Sequence, residues 1–143
     1  MFDFPLLAYQ DDRLFVDKDG AGFKIDGAFF PDADTMVCRV SARRGAIETP
    51  GWFLEITGRF REITPRGRRR TWALPFQFLI PLALCEYAMS APRTISVGEL
   101  KQKLVGVQDH FPEAPLAADL RRYLRKHRDD APVTEAMLRA WPM

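Results

Sequence analysis

Six arginines, Arg59, Arg61, Arg66, Arg68, Arg69 and Arg70, crowd the stretch WFLEITGRFREITPRGRRRTWALPFQFLI between Trp52 and Ile80. Cationic side chains interleaved with Phe60 and Trp72 are the residue types that lie along a phosphate backbone and stack bases, as single-stranded nucleic-acid readers do. The plainer reading is a solvated hairpin tip. Its charges would discourage edge-to-edge pairing, or be neutralised by acids elsewhere in the same chain. Such acids form the second cluster: Asp17, Asp19, Asp26, Asp32 and Asp34. A calcium loop needs a third oxygen ligand before its glycine and a closing glutamate, but Gly20 follows Asp19 directly, so no metal site is expected. Aspartates at turns bond back to their own backbone, which accounts for most of them. An acidic surface that complements a basic protein partner is the functional alternative.

Nucleophilic chemistry would have to come from Cys38 or Cys85 with His110 or His127. Neither cysteine sits in a local sequence that exposes and activates a thiol, so no catalytic dyad is expected, and buried free thiols are expected over a disulfide between them. Two cysteines and two histidines, none closely paired, do not make a zinc site. The glycines lack the spacing of a phosphate-binding loop, a dinucleotide fingerprint or a nucleophile elbow, so no cofactor and no enzymatic activity are expected.

The net charge of +2 is too small to imply nucleic acid by itself, but the charge is segregated. Residues 1–35 have a local balance of −5 and residues 36–75 one of +6. With 143 residues and 47% apolar content, the chain fits one domain with one core, residues 1–143. The start, MFDFPLLAYQDD, carries acids where a secretory signal needs a positive region, and no apolar run approaches the roughly 20 residues of a membrane span. A cytoplasmic protein with no membrane contact is expected.

The elements that must position these residues read as strands first and helices last. Arg13 to Val16 and Gly22 to Phe30 form a first hairpin about the turn Asp17-Lys18-Asp19-Gly20. Thr35 to Ala42 forms a third strand. Trp52 begins a central hairpin whose turn is placed at Pro65-Arg66-Gly67, with Trp72, Leu74, Phe76 and Phe78 on one face of the return strand. Pro81 to Met89 reads as a short helix with Pro81 at its first position or as a further strand, and its Ala and Leu content favours the helix. Ser96 and Glu99 have the spacing of a capping box, and Leu100, Leu104, Val107 and Phe111 continue at helical spacing as far as Pro112. A second helix is expected from Pro115 to Arg128 and a short terminal one from Pro132. Together these predict an α+β domain: an antiparallel sheet of about five strands over residues 13–80, with two to three helices over 97–141 packed on one face.

Segregated charge without a catalytic motif points to a non-enzymatic protein-binding module. The expectation is a small bacterial immunity or antitoxin-type protein that occludes a toxin's active site through charge complementarity. The alternative is an RNA or single-stranded DNA binder using residues 59–72. Either is compatible with a monomer or a dimer.

Overall fold

The computed structural model describes residues 2–10, 13–19, 28–29, 35–41, 50–71, 82–109 and 113–141. For residues 10, 28–29, 35–41, 65–71 and 82–87 the description covers the backbone alone. In chain order the described elements are β1 (Leu6–Gln10), β2 (Arg13–Asp17), β3 (Ala28–Phe29), β4 (Thr35–Ser41), β5 (Gly51–Glu55), β6 (Phe60–Thr71), β7 (Leu82–Met89), α1 (Val97–Lys103), β8 (Gln108–Asp109), α2 (Leu116–Leu124) and α3 (Glu135–Ala140).

The strands form one sheet in the order β3-β4-β7-β6-β5-β1-β2-β8. Its centre is the meander β5-β6-β7. The hairpin β1-β2 adds beside β5, and the hairpin β3-β4 adds beside β7. Every pairing is antiparallel except β2 with β8. The α+β class with C-terminal helices is therefore as the sequence reads. The sheet is wider than five strands, and it starts at Leu6 and ends at Asp109.

Residues Leu7, Tyr9, Leu14, Trp52, Leu54 and Phe60 meet across β2-β1-β5-β6 by direct pairing, so alternation puts them on one face. That face receives the helices. Leu100 and Leu104 from the α1 region, Ala117, Leu120 and Leu124 from α2, and Leu138 and Trp141 at α3 join the same buried cluster. The opposite face is buried too at the sheet's centre: Leu6, Ala8 and Phe53 have no exposed surface. This explains why β1 escapes a search for alternation. LLAYQ is a short continuous apolar run because both of its faces are covered.

Two local expectations are corrected. The turn of the central hairpin is Ile56-Thr57-Gly58-Arg59, closed by Gly58 N–H donating to the Glu55 carbonyl at 2.9 Å and Glu55 N–H donating to the Arg59 carbonyl at 2.9 Å. Gly58 has φ +90°, and a Cβ there would lie 2.9 Å from the Val133 carbonyl oxygen, so both conformation and space require glycine. Pro65-Arg66-Gly67 is no turn. It lies within the 12-residue β6, where the register against β7 shifts between Pro65 and Gly67. Proline is tolerated at such a bulge because one residue there gives up its ladder bond. Pro81 to Met89 is not a helix: Leu82–Met89 is β7, paired with β4 on one side and β6 on the other. Two ladders outweigh the modest helix preference of its Ala and Leu residues. The return strand expected from Trp72 to Ile80 lies outside the described residues.

The helices are shorter than their apolar spacing suggests. Ser96 Oγ accepts from Glu99 N–H at 3.1 Å and starts α1 as expected of the cap. The helix ends by Leu104, and Gly106, at φ +74°, turns the chain away into β8. Arg121 Nη1 donates to the Leu104 carbonyl at 2.6 Å, satisfying one acceptor at that end. Asp109 Oδ1 in turn accepts from the Ala117 amide at 2.6 Å in the first turn of α2. Thr134, not Pro132, opens α3, its side chain accepting from Met137 N–H at 3.3 Å.

Candidate functional site

A cluster of polar and aromatic groups lies where β1 ends, β5 begins and α1 finishes. Tyr9 and Trp52 are direct partners in the β1-β5 pair, and their rings stack with centroids 5.8 Å apart and planes 25° from parallel. Trp52 continues to Phe60 at 5.7 Å. Lys103, from the last turn of α1, places Nζ 5.3 Å from the Phe60 ring centroid and 2.8 Å from Glu62 Oε1. Arg93 sits 4.8 Å from the same ring and grips Glu99 with both guanidinium nitrogens, at 2.6 and 3.1 Å. It also lies 3.6 Å from Glu62. Lys103, Glu62, Arg93 and Glu99 thus form a chain of alternating charge over one aromatic ring. Its members are half-exposed, so each link is worth at most about 1 kcal/mol. The hydrogen bonds from Arg93 hold the Glu99 carboxyl below its ordinary range, and Glu99 holds the guanidinium still more firmly protonated.

Two open grooves flank Tyr9 and Lys103, which line both. One, of about 480 Å³, runs past Arg13, Val105, Gly106 and Gln108. The other, of about 360 Å³, runs past Gly51, Trp52, Glu62 and Thr64. Val105 stands 71% exposed at the lip of the first. Arg13 is exposed and has no ion pair among the described residues. Together the grooves form a shallow, polar, charged trough crossing the strand ends. Such a trough can hold an extended or broad partner by side-chain contacts.

The residues singled out from sequence are distributed differently. Asp17 closes β2 and is buried at 4% exposure, its Oδ1 accepting from the Asp19 amide at 3.3 Å. Its expected place on an exposed acidic turn is corrected, because the turn folds its carboxylate inward while Asp19 stays exposed. Asp26, Asp32 and Asp34 lie outside the described residues. Arg59 is exposed at the β5-β6 turn. Arg61 is buried at 7%, its guanidinium 5.1 Å from the Phe2 ring, because alternation points it to the face away from the helices. Arg66, Arg68, Arg69 and Arg70 are spread along β6 instead of gathered at a tip, and their side chains lie outside the described residues, as does Trp72 entirely. Glu55, which the hairpin pattern would present to water, has no exposed surface. Its Oε1 accepts from the Asp3 amide at 3.0 Å, while Oε2 has no hydrogen-bond partner among the described residues.

Tyr9, Trp52, Glu62, Arg93 and Lys103 were not singled out from sequence as a site. The alternation of Leu7 with Tyr9 and of Trp52 with Leu54 carries their shared face, but Glu62 and Lys103 are brought together only by the fold. His127, beyond the end of α2, has Nδ1 3.3 Å from the Tyr123 carbonyl oxygen, and His110 lies outside the described residues. Among the described residues no group of three His, Cys, Asp or Glu is placed to hold a metal ion, and no helix is long and apolar enough to cross a membrane. Compared with known proteins, the chain matches no family model, no curated protein and no solved structure.

Proposed function

We propose that the protein is a non-enzymatic protein-binding module of the immunity or antitoxin type, which neutralises a toxin by covering its active site through charge complementarity. The observation that supports this reading is the open trough about Tyr9 and Lys103, with exposed Arg13 and Val105 at its border. An exposed apolar side chain beside a cation is the mix from which protein interfaces draw anchors and steering charge. A cytoplasmic location belongs to the same proposal.

The nucleic-acid reading keeps Arg59 at the turn but loses Arg61 to the interior. It stands second for that reason.

The test is a pull-down of the full tagged chain from its native lysate, with and without nuclease, at low and high salt. A single nuclease-resistant protein retained in near-equal amount, whose own activity falls on adding the purified chain, supports the proposal. A retained protein whose activity is unaffected refutes the neutralising role. Material lost with nuclease and at high salt transfers the reading to nucleic acid.

A further inference from the structure

The chain has two cysteines, far apart in sequence, and the β4-β7 register sets them directly opposite one another as the pair Cys38↔Cys85. Residues directly opposite in an antiparallel pair have Cα atoms about 4.5 to 5.5 Å apart and share a face of the sheet. A disulfide spans Cα separations of roughly 4.4 to 6.8 Å, and the spacing typical of such a register position falls within that range. The same row continues to Ala28 in β3, opposite Cys38, and to Arg68 in β6, opposite Cys85. None of this is visible in the local sequence about either cysteine.

We propose that Cys38 and Cys85 form a redox-reactive dithiol that closes to an intrachain disulfide by exchange with a small-molecule disulfide such as oxidised glutathione. One thiolate attacks the glutathione disulfide, forming a mixed disulfide and releasing one glutathione thiolate. The second cysteine, deprotonated, attacks the protein sulfur of that mixed disulfide; the Cys38–Cys85 bond forms and the second glutathione thiolate leaves. Two protein thiols are oxidised, one glutathione disulfide is reduced, and the two protons lost by the cysteines end on the two glutathione thiols. The bond would join β4 to β7 and so fasten the β3-β4 hairpin to the central meander.

The test uses the reduced, folded full chain equilibrated over a series of glutathione redox ratios, quenched with acid and alkylated, then read by intact mass and peptide mapping. The expected result is conversion from a doubly alkylated monomer to an unalkylated one with residues 38 and 85 linked, reversed by dithiothreitol. Cys38→Ser and Cys85→Ser lose the link and carry glutathione on the remaining thiol. Thiols that both stay alkylatable at the most oxidising ratio overturn the proposal. So do glutathione adducts at both positions without a link, or a link that forms only in urea or only between two chains.

Discussion

Replacing Gly58 by alanine separates the two hairpin registers that the Pro and Gly signals allow. With the turn at Ile56 to Arg59, Gly58 holds φ +90°, and an added Cβ meets the Val133 carbonyl oxygen at 2.9 Å. The conformational part costs roughly 1–2 kcal/mol. The contact falls on backbone that cannot easily retreat, since Val133 is buried and its N–H donates to the Ile95 carbonyl at 2.8 Å. Forcing atoms into a packed place of this kind costs about 1–3 kcal/mol. Loss of unfolded-state freedom offsets about 0.4–1 kcal/mol of the total. The net expectation is a loss of about 3 kcal/mol, a large share of the roughly 5–15 kcal/mol that holds a domain folded. Gly106→Ala is the control: φ is +74°, but nothing lies within 4 Å of the new atom, so it should lose only about 1 kcal/mol. Urea unfolding of both variants at unchanged m-value measures the difference. Equal losses at the two positions, or a Gly58→Ala loss below about 1 kcal/mol, would refute the placement of the turn against Val133.

Ser96→Ala removes the acceptor for Glu99 N–H and should cost about 1 kcal/mol in the same unfolding assay. Leu120→Ala, at a position with no exposed surface between α2 and the sheet, should cost about 2–5 kcal/mol, and a loss under 1 kcal/mol would mean α2 is not docked there. Glu99 has its folded pKa lowered by Arg93, so its contribution is complete above the ordinary glutamate range and is lost as pH falls through the folded value. Stability measured from pH 6 down to pH 3 should therefore fall less in Glu99→Gln than in the parent chain, by a few tenths of a kcal/mol given the exposure of the pair. Asp17→Lys should lower stability because the site is buried, whereas Asp19→Lys should leave stability nearly unchanged and alter the association rate if a captured partner contacts the acidic turn.

What could be read from the sequence follows how local each signal is. The Ser96 half of the capping box is set by residues three apart and reads correctly, whereas the Glu99 carboxylate accepts from Arg93. The apolar positions Leu100, Leu104, Leu120 and Leu124 reach the core as their spacing implies. Pro65-Arg66-Gly67 misleads because turns and bulges both recruit proline and glycine, and only the β7 ladder decides between them. LALCEYAM misleads because its strand state is imposed by partners at residues 35–41 and 63–71. The trough is the least legible part: Lys103 and Glu62 are 41 residues apart, and nothing near either one announces the other.

The same distinction changes what charge in this chain can mean for a partner. Counted along the sequence, residues 1–35 are acidic and residues 36–75 basic, which invites the picture of a surface dipole. Yet the sheet's centre is covered on both faces, and it takes Asp17, Glu55 and Arg61 inside with it. Burying those three charges withdraws them from any encounter with another molecule. The charges left at the surface include Arg13 at the start of β2 and Asp19 just past its end, Arg59 at the turn, and Arg122 and Arg128 on and after α2, at 74% and 85% side-chain exposure. Arg122 and Arg128 are each within ion-pair distance of an aspartate, Asp119 and Asp130, which blunts their long-range field. Arg13 borders the trough without such a partner among the described residues, which under the proposed binding role makes it a charge that a partner could meet there.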